Sequence, residues 1–88
     1  GQEMNIRPTD SLPSEFHIGY TRATLDGIVK TVSTVRLHTY DRRPFETMLF
    51  YGDSYEDHYC ARYDTEEAAR QGHQEVVSAL LDGTLEVY

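Results

Sequence analysis

Eighty-eight residues, 39% hydrophobic and 26% charged, make one small domain with a modest core. Eight Lys and Arg against fifteen Asp and Glu give a net charge of −7. That balance argues against direct binding to nucleic acid or to an anionic membrane, because both draw affinity from clustered cations. A single cysteine excludes an intrachain disulfide framework and suits a reducing cytoplasm, and no stretch reaches the apolar length of a membrane helix.

Residues 1–16, GQEMNIRPTDSLPSEF, are polar, contain Pro8 and Pro13, and lack both a hydrophobic period and the apolar stretch of a secretory signal. They read as a flexible N-terminal arm. A docked arm would use Ile6, Leu12 or Phe16. Residues 17–88 then form a single α+β domain. GYTRATL and IVKTVSTVRLHTY are rich in Thr, Val and aromatics and flank Asp26-Gly27, a pair suited to the positive φ angles of a type I′ hairpin turn. DRRP, whose Pro44 cannot donate to a central ladder, leads into a third strand, FETMLFY. Gly52-Asp53-Ser54 is turn chemistry, and YEDHYCARY follows as a fourth strand carrying Tyr55, Tyr59 and Tyr63.

Asp64-Thr65-Glu66-Glu67 opens a helix. Either Asp64 or Thr65 can cap the first turn, and Asp64 would complete a capping box with Glu67. The two glutamates suit the positive end of the helix dipole. Ala69, His73, Val76 and Leu80, with Val77 beside them, recur at helical spacing; Glu66, Arg70 and Gln74 point away. Gly72 inside the helix implies a packing reason, a close approach to the sheet, and Gly83 suits the C-terminal cap. The tail TLEVY fits a short strand or a frayed end equally. Short links between consecutive strands predict an antiparallel β-meander of about four strands followed by one C-terminal amphipathic helix packed on one sheet face.

The third strand is apolar on both sides. Phe45, Leu49 and Tyr51 fall on one face, Met48 and Phe50 on the other. One helix covers one face, so the other needs the arm, the tail or another protein. The candidate interaction surface is Phe45, Met48, Phe50, Tyr51, Glu56 and Asp57, with a protein partner or a second copy as occupant. From Asp41 to Glu75 nine acids stand against four arginines. If they share a surface, the chain could imitate a nucleic acid and block a host defence or replication protein; otherwise they keep the surface solvated.

Chemistry-bearing groups are sparse. His58 and Cys60 lie two apart on an expected strand, and His38 could join them to hold zinc or activate a thiol, although the spacing is no recognised zinc pattern. Glu46 could reach Arg36 or Arg62. His73 reads as a histidine packed against the sheet with a ring nitrogen hydrogen-bonded. No nucleophile elbow, phosphate loop or HExxH occurs. These readings assign no catalytic, cofactor-binding or metal-ligating residue, no cofactor and no enzymatic activity.

The order Asp26-Gly27, Val32-Ser33-Thr34-Val35, Phe45-Glu46-Thr47-Met48, then Thr65 through His73 (TEEAARQGH) resembles small proteins encoded by actinobacterial phages and prophages. The likeness spans roughly residues 20–80 and departs where this chain has only DRRP. It implies a phage accessory or virion-associated protein acting by protein binding in a bacterial host cytoplasm, and it brings no site residues.

Overall fold

The computed structural model describes residues 5–8, 14–38 and 42–88, the first four by backbone alone. Five strands, β1 (Asn5–Pro8), β2 (His17–Leu25), β3 (Ile28–Arg36), β4 (Phe45–Tyr51) and β5 (Asp57–Tyr63), precede one helix, α1 (Glu66–Asp82). The strands form one antiparallel sheet in chain order, and α1 packs on it against β2 through β5. This is the expected meander and helix with one strand added: within the arm, Asn5–Pro8 pair with Thr21–Thr24 of β2. Leu12, Thr39, Tyr40 and Asp41 lie outside the described residues, as does the side chain of Ile6.

Local chemistry accounts for each boundary. Asp26 and Gly27 both take positive φ, 54° and 77°, which closes the β2–β3 hairpin as the Asp-Gly pair requires. β5 starts at Asp57, later than expected, so Tyr55 stands in the turn and is 97% exposed. Thr65, not Asp64, caps α1: its hydroxyl accepts from the Ala68 amide at 3.1 Å. Ala68 therefore holds the position at which a capping box needs Glu. Gly83 ends the helix in the left-handed region, its amide turned back to the carbonyls of Ala79 and Leu80.

The core lies between α1 and one sheet face. Val32, Leu49, Val76 and Leu80 are buried there, with Leu25, Tyr51, Tyr59, Val77 and Leu85 packed around them. Leu85 comes from the tail, which is neither strand nor frayed: the amides of Thr84 and Leu85 donate to Ala79, and the Tyr88 amide donates to His58 at 2.9 Å. Gly19 and Gly72 set how closely the layers approach. A Cβ at Gly72 would clash with the Tyr63 ring, and one at Gly19 would fall 2.8 Å from the His73 ring. The two contacts differ in give. Tyr63 is half-buried, whereas His73 is buried and bonded at both nitrogens. Gly19→Ala therefore cannot be relieved by swinging the ring and is expected to destabilise the fold by about 1–3 kcal/mol, seen as a lower urea midpoint. An unchanged midpoint would mean that the helix and sheet separate without cost at this point.

Candidate functional site

Cross-strand register decides which groups meet. Across β2, β3 and β4, Tyr20 lies beside Ser33 and Ser33 beside Met48; one step on, Arg22 lies beside Thr31 and Thr31 beside Phe50. These residues share the face away from α1. On the helix side the matching rows are Gly19, Thr34, Thr47, Ala61 and Thr21, Val32, Leu49, Tyr59.

The six residues of the expected interaction surface do not form one surface. Phe45 is 7% exposed and lies on the helix side, as does Tyr51, which packs against the core. Met48 and Phe50 lie on the open face, with Asp57 in register with Phe50. Glu56 is exposed in the turn before β5. The physical reason is the period of two along β4, which sends Phe45 and Met48 to opposite sides.

His38, His58 and Cys60 do not converge either. His38 stands beyond the end of β3, its ring edge-on to Phe16 at 5.1 Å. His58 is an extra residue in β5: Leu49 pairs with Tyr59 and Phe50 with Asp57, so no β4 residue opposes it. That bulge turns its ring onto Tyr51, at 3.9 Å and 10° between planes. Its Nδ1–H donates to the Tyr88 carbonyl at 2.8 Å, while the Tyr88 hydroxyl donates to Asp57 at 2.5 Å. This bond holds the Tyr88 phenol protonated, its pKa pushed up to about 12. Cys60 keeps to the open face, where its Sγ donates to Glu46 at 3.6 Å and Glu46 meets Arg62 at 3.9 Å. Burial first, then the Glu46 charge, push the Cys60 thiol up, which disfavours the nucleophilic thiolate. No group of three metal-ligating side chains occurs among the described residues.

The histidines that do form networks are the other two. His73 reaches Thr21 through Nε2 at 2.9 Å and Thr34 through Nδ1 at 2.7 Å; Thr34 in turn meets Thr47 at 2.5 Å. Every member has a partner, and burial alone pushes the His73 pKa below its ordinary value of 6.5. On the other face, His17 is bonded to Ser14 at 2.8 Å and to Ser33 at 3.1 Å. The latter chain borders a concavity of about 620 Å³ on the open face, floored by Thr31 and Ser33 and closed at one end by the turn from Gly52 to Tyr55. Sequence reading placed His73 but missed His17 and the concavity. Alternation in VSTV and TRAT carried their strand faces; the pairing of β2 with β3 was needed to bring them together.

No family model matches the chain, and it has no match among the curated proteins or the solved structures.

Two measurements follow from these environments. A base whose folded pKa is depressed leaves the folded chain with fewer protons than the unfolded one, so stability rises with pH through the window below 6.5 and is lost as pH falls. His73→Gln should flatten the urea midpoint between pH about 5 and 6.5 relative to the parent; an equal slope in both would mean that His73 is already charged in the fold. For Cys60, iodoacetamide at neutral pH should react slowly, and Glu46→Gln should speed it by removing the neighbouring charge. Fast reaction in the parent chain would return a thiol enzyme to consideration.

Proposed function

We propose that this chain is a non-catalytic accessory or virion-associated protein of phage type that works by binding protein through its open sheet face. One observation carries the reading: Met48 and Phe50 stand on the face opposite α1, flanked in register by Tyr20 and Ser33 on one row and Arg22 and Thr31 on the other. No helix packs on this face among the described residues. A sheet face with apolar side chains and no covering layer is stabilised by docking against a second surface. The scatter of His38, His58 and Cys60 supports the same reading, since nucleophilic and metal chemistry both need those groups within bonding reach. The motif likeness to actinobacterial phage proteins supplies the setting, a bacterial host cytoplasm.

The simplest occupant is a second copy of the chain, whose small core leaves it to gain from association. Light scattering across a concentration series should give a mass that rises toward twice the monomer, and Met48→Glu should return it to the monomer. A parent chain that stays monomeric at every concentration, and that draws the same proteins from host lysate with and without Met48→Glu, would overturn the assignment to this face.

A further inference from the structure

Thr31 and Ser33 sit on the open side of the central strand, yet they are only 7% and 8% exposed. They are small residues between larger ones: Tyr20 and Arg22 rise from β2, Met48 and Phe50 from β4. Strands lie about 4.8 Å apart, so those two walls stand roughly 10 Å from each other across β3. The result is a groove along β3 rather than a flat face, and the turn from Gly52 to Tyr55 closes its Thr31 end into the 620 Å³ concavity.

The floor carries two hydroxyls that can donate. Ser14 Oγ accepts the Phe16 amide at 3.2 Å and is bonded to His17 Nδ1. With the Ser14 hydrogen on Nδ1, His17 donates through Nε2 to Ser33 Oγ, and the Ser33 hydroxyl hydrogen is left for the concavity. Thr31 is the second donor. Its hydroxyl has no hydrogen-bond partner among the described residues, although the residue is more than nine-tenths buried and lines the concavity. No buried side-chain oxygen or nitrogen is orphaned among the described residues, so this hydroxyl meets solvent there. Arg22 adds a guanidinium with donors only. At the turn end the lining changes to Phe50, Asp53 and Tyr55, the last 97% exposed.

We infer that the concavity binds a mononucleotide, with the phosphate on Arg22 and the Thr31 and Ser33 hydroxyls, the sugar hydroxyls on Asp53 and the base against the aromatic rings of the turn end. Each part answers to one chemistry. A phosphate accepts from donors and a guanidinium, ribose hydroxyls donate to a carboxylate, and a base stacks on aromatic rings. The volume falls in the range of small-molecule sites. An anion lacking a sugar would leave Asp53 as a repulsive neighbour. The concavity shares Tyr20, Arg22, Thr31, Ser33 and Phe50 with the face proposed to dock protein; Met48 does not line it, so Met48→Glu tests docking without altering the concavity.

The test is a titration of the isotope-labelled full chain with AMP, GMP, CMP and UMP, followed by amide NMR, with adenosine, inorganic phosphate and benzoate as comparison probes. The expected result is saturable movement of the Thr31, Ser33, Phe50 and Tyr55 amides by at least one nucleotide, and by adenosine and phosphate more weakly. Arg22→Gln and Thr31→Val should each weaken that nucleotide about tenfold or more, while Arg70→Gln on the exposed helix face leaves it unchanged. The amide spectrum itself reports whether each variant is folded, and Arg22→Lys stands in should the glutamine variant not be. Absence of saturable shifts up to about 10 mM overturns the inference, as do shifts that neither groove variant alters. Benzoate binding as tightly as the nucleotides overturns the sugar contact and with it the nucleotide class.

Discussion

The packing of α1 on the sheet turns on one imidazole. His73 projects from the buried stripe of the helix into an interface otherwise built from Val32, Leu49, Val76 and Leu80. A polar ring there costs free energy unless both nitrogens are bonded. Thr21 from β2 and Thr34 from β3 supply those bonds, and Thr47 from β4 completes the Thr34 hydroxyl. One side chain therefore ties the helix directly to β2 and β3, and through Thr34 to β4. The ring also needs space, which explains Gly19 beneath it, and a helix drawn this close needs Gly72 against Tyr63. Residues far apart in sequence are thus fixed by a single requirement. Hydrophobic burial alone would set how much area meets but would leave the helix free to slide; hydrogen bonds from His73 to β2 and β3 set where it sits.

The same strand that satisfies His73 shapes the opposite face. β3 alternates Val32 and Thr34 toward the helix with Thr31 and Ser33 away from it, and all four are buried. On the helix side, short side chains leave room for an imidazole. On the open side they leave a groove, because β2 and β4 carry larger residues beside them. Each face then places a histidine against a hydroxyl of β3: His73 on Thr34 and His17 on Ser33. The difference lies in closure. The Thr21–His73–Thr34–Thr47 chain ends within the core with every partner in place, whereas the Ser14–His17–Ser33 chain ends at a hydroxyl bordering open space. A closed network stabilises; an open one can also recognise.

Much of this fold was legible in the sequence because its signals are local. The Asp26-Gly27 turn, the period of two in FETMLFY and the spacing of Ala69, His73, Val76 and Leu80 each depend on neighbours a few residues away. The reading of Gly72 as a mark of close approach also rests on local logic, and the Tyr63 ring above it is the group approached. What escaped depends on register. Asn5–Pro8 is four residues with a proline, too short for a period, and becomes a strand only because β2 offers a partner. His58 and Cys60 are two apart, which in an unbroken strand puts them on one face. The extra residue opposite the Leu49–Phe50 step separates them, and nothing in YEDHYCARY announces a bulge. The six expected surface residues mixed two faces because the period of two showed β4 to be apolar on both sides but not which side α1 would cover.

That bulge also fixes what β5 can contribute to chemistry. Without it, His58 would stand beside Cys60 on the open face, next to Glu46 and Arg62, and a base and a thiol would share a surface. With it, the imidazole stacks on Tyr51 and its Nδ1–H is committed to the Tyr88 carbonyl, so His58 secures the tail. Cys60 is left with Glu46, a neighbour that raises the thiol pKa and suppresses the thiolate. The strand nearest to a reactive constellation by composition is thus the one whose geometry dismantles it. The polar groups that border open space lie instead on β2 and β3, in Arg22, Thr31 and Ser33.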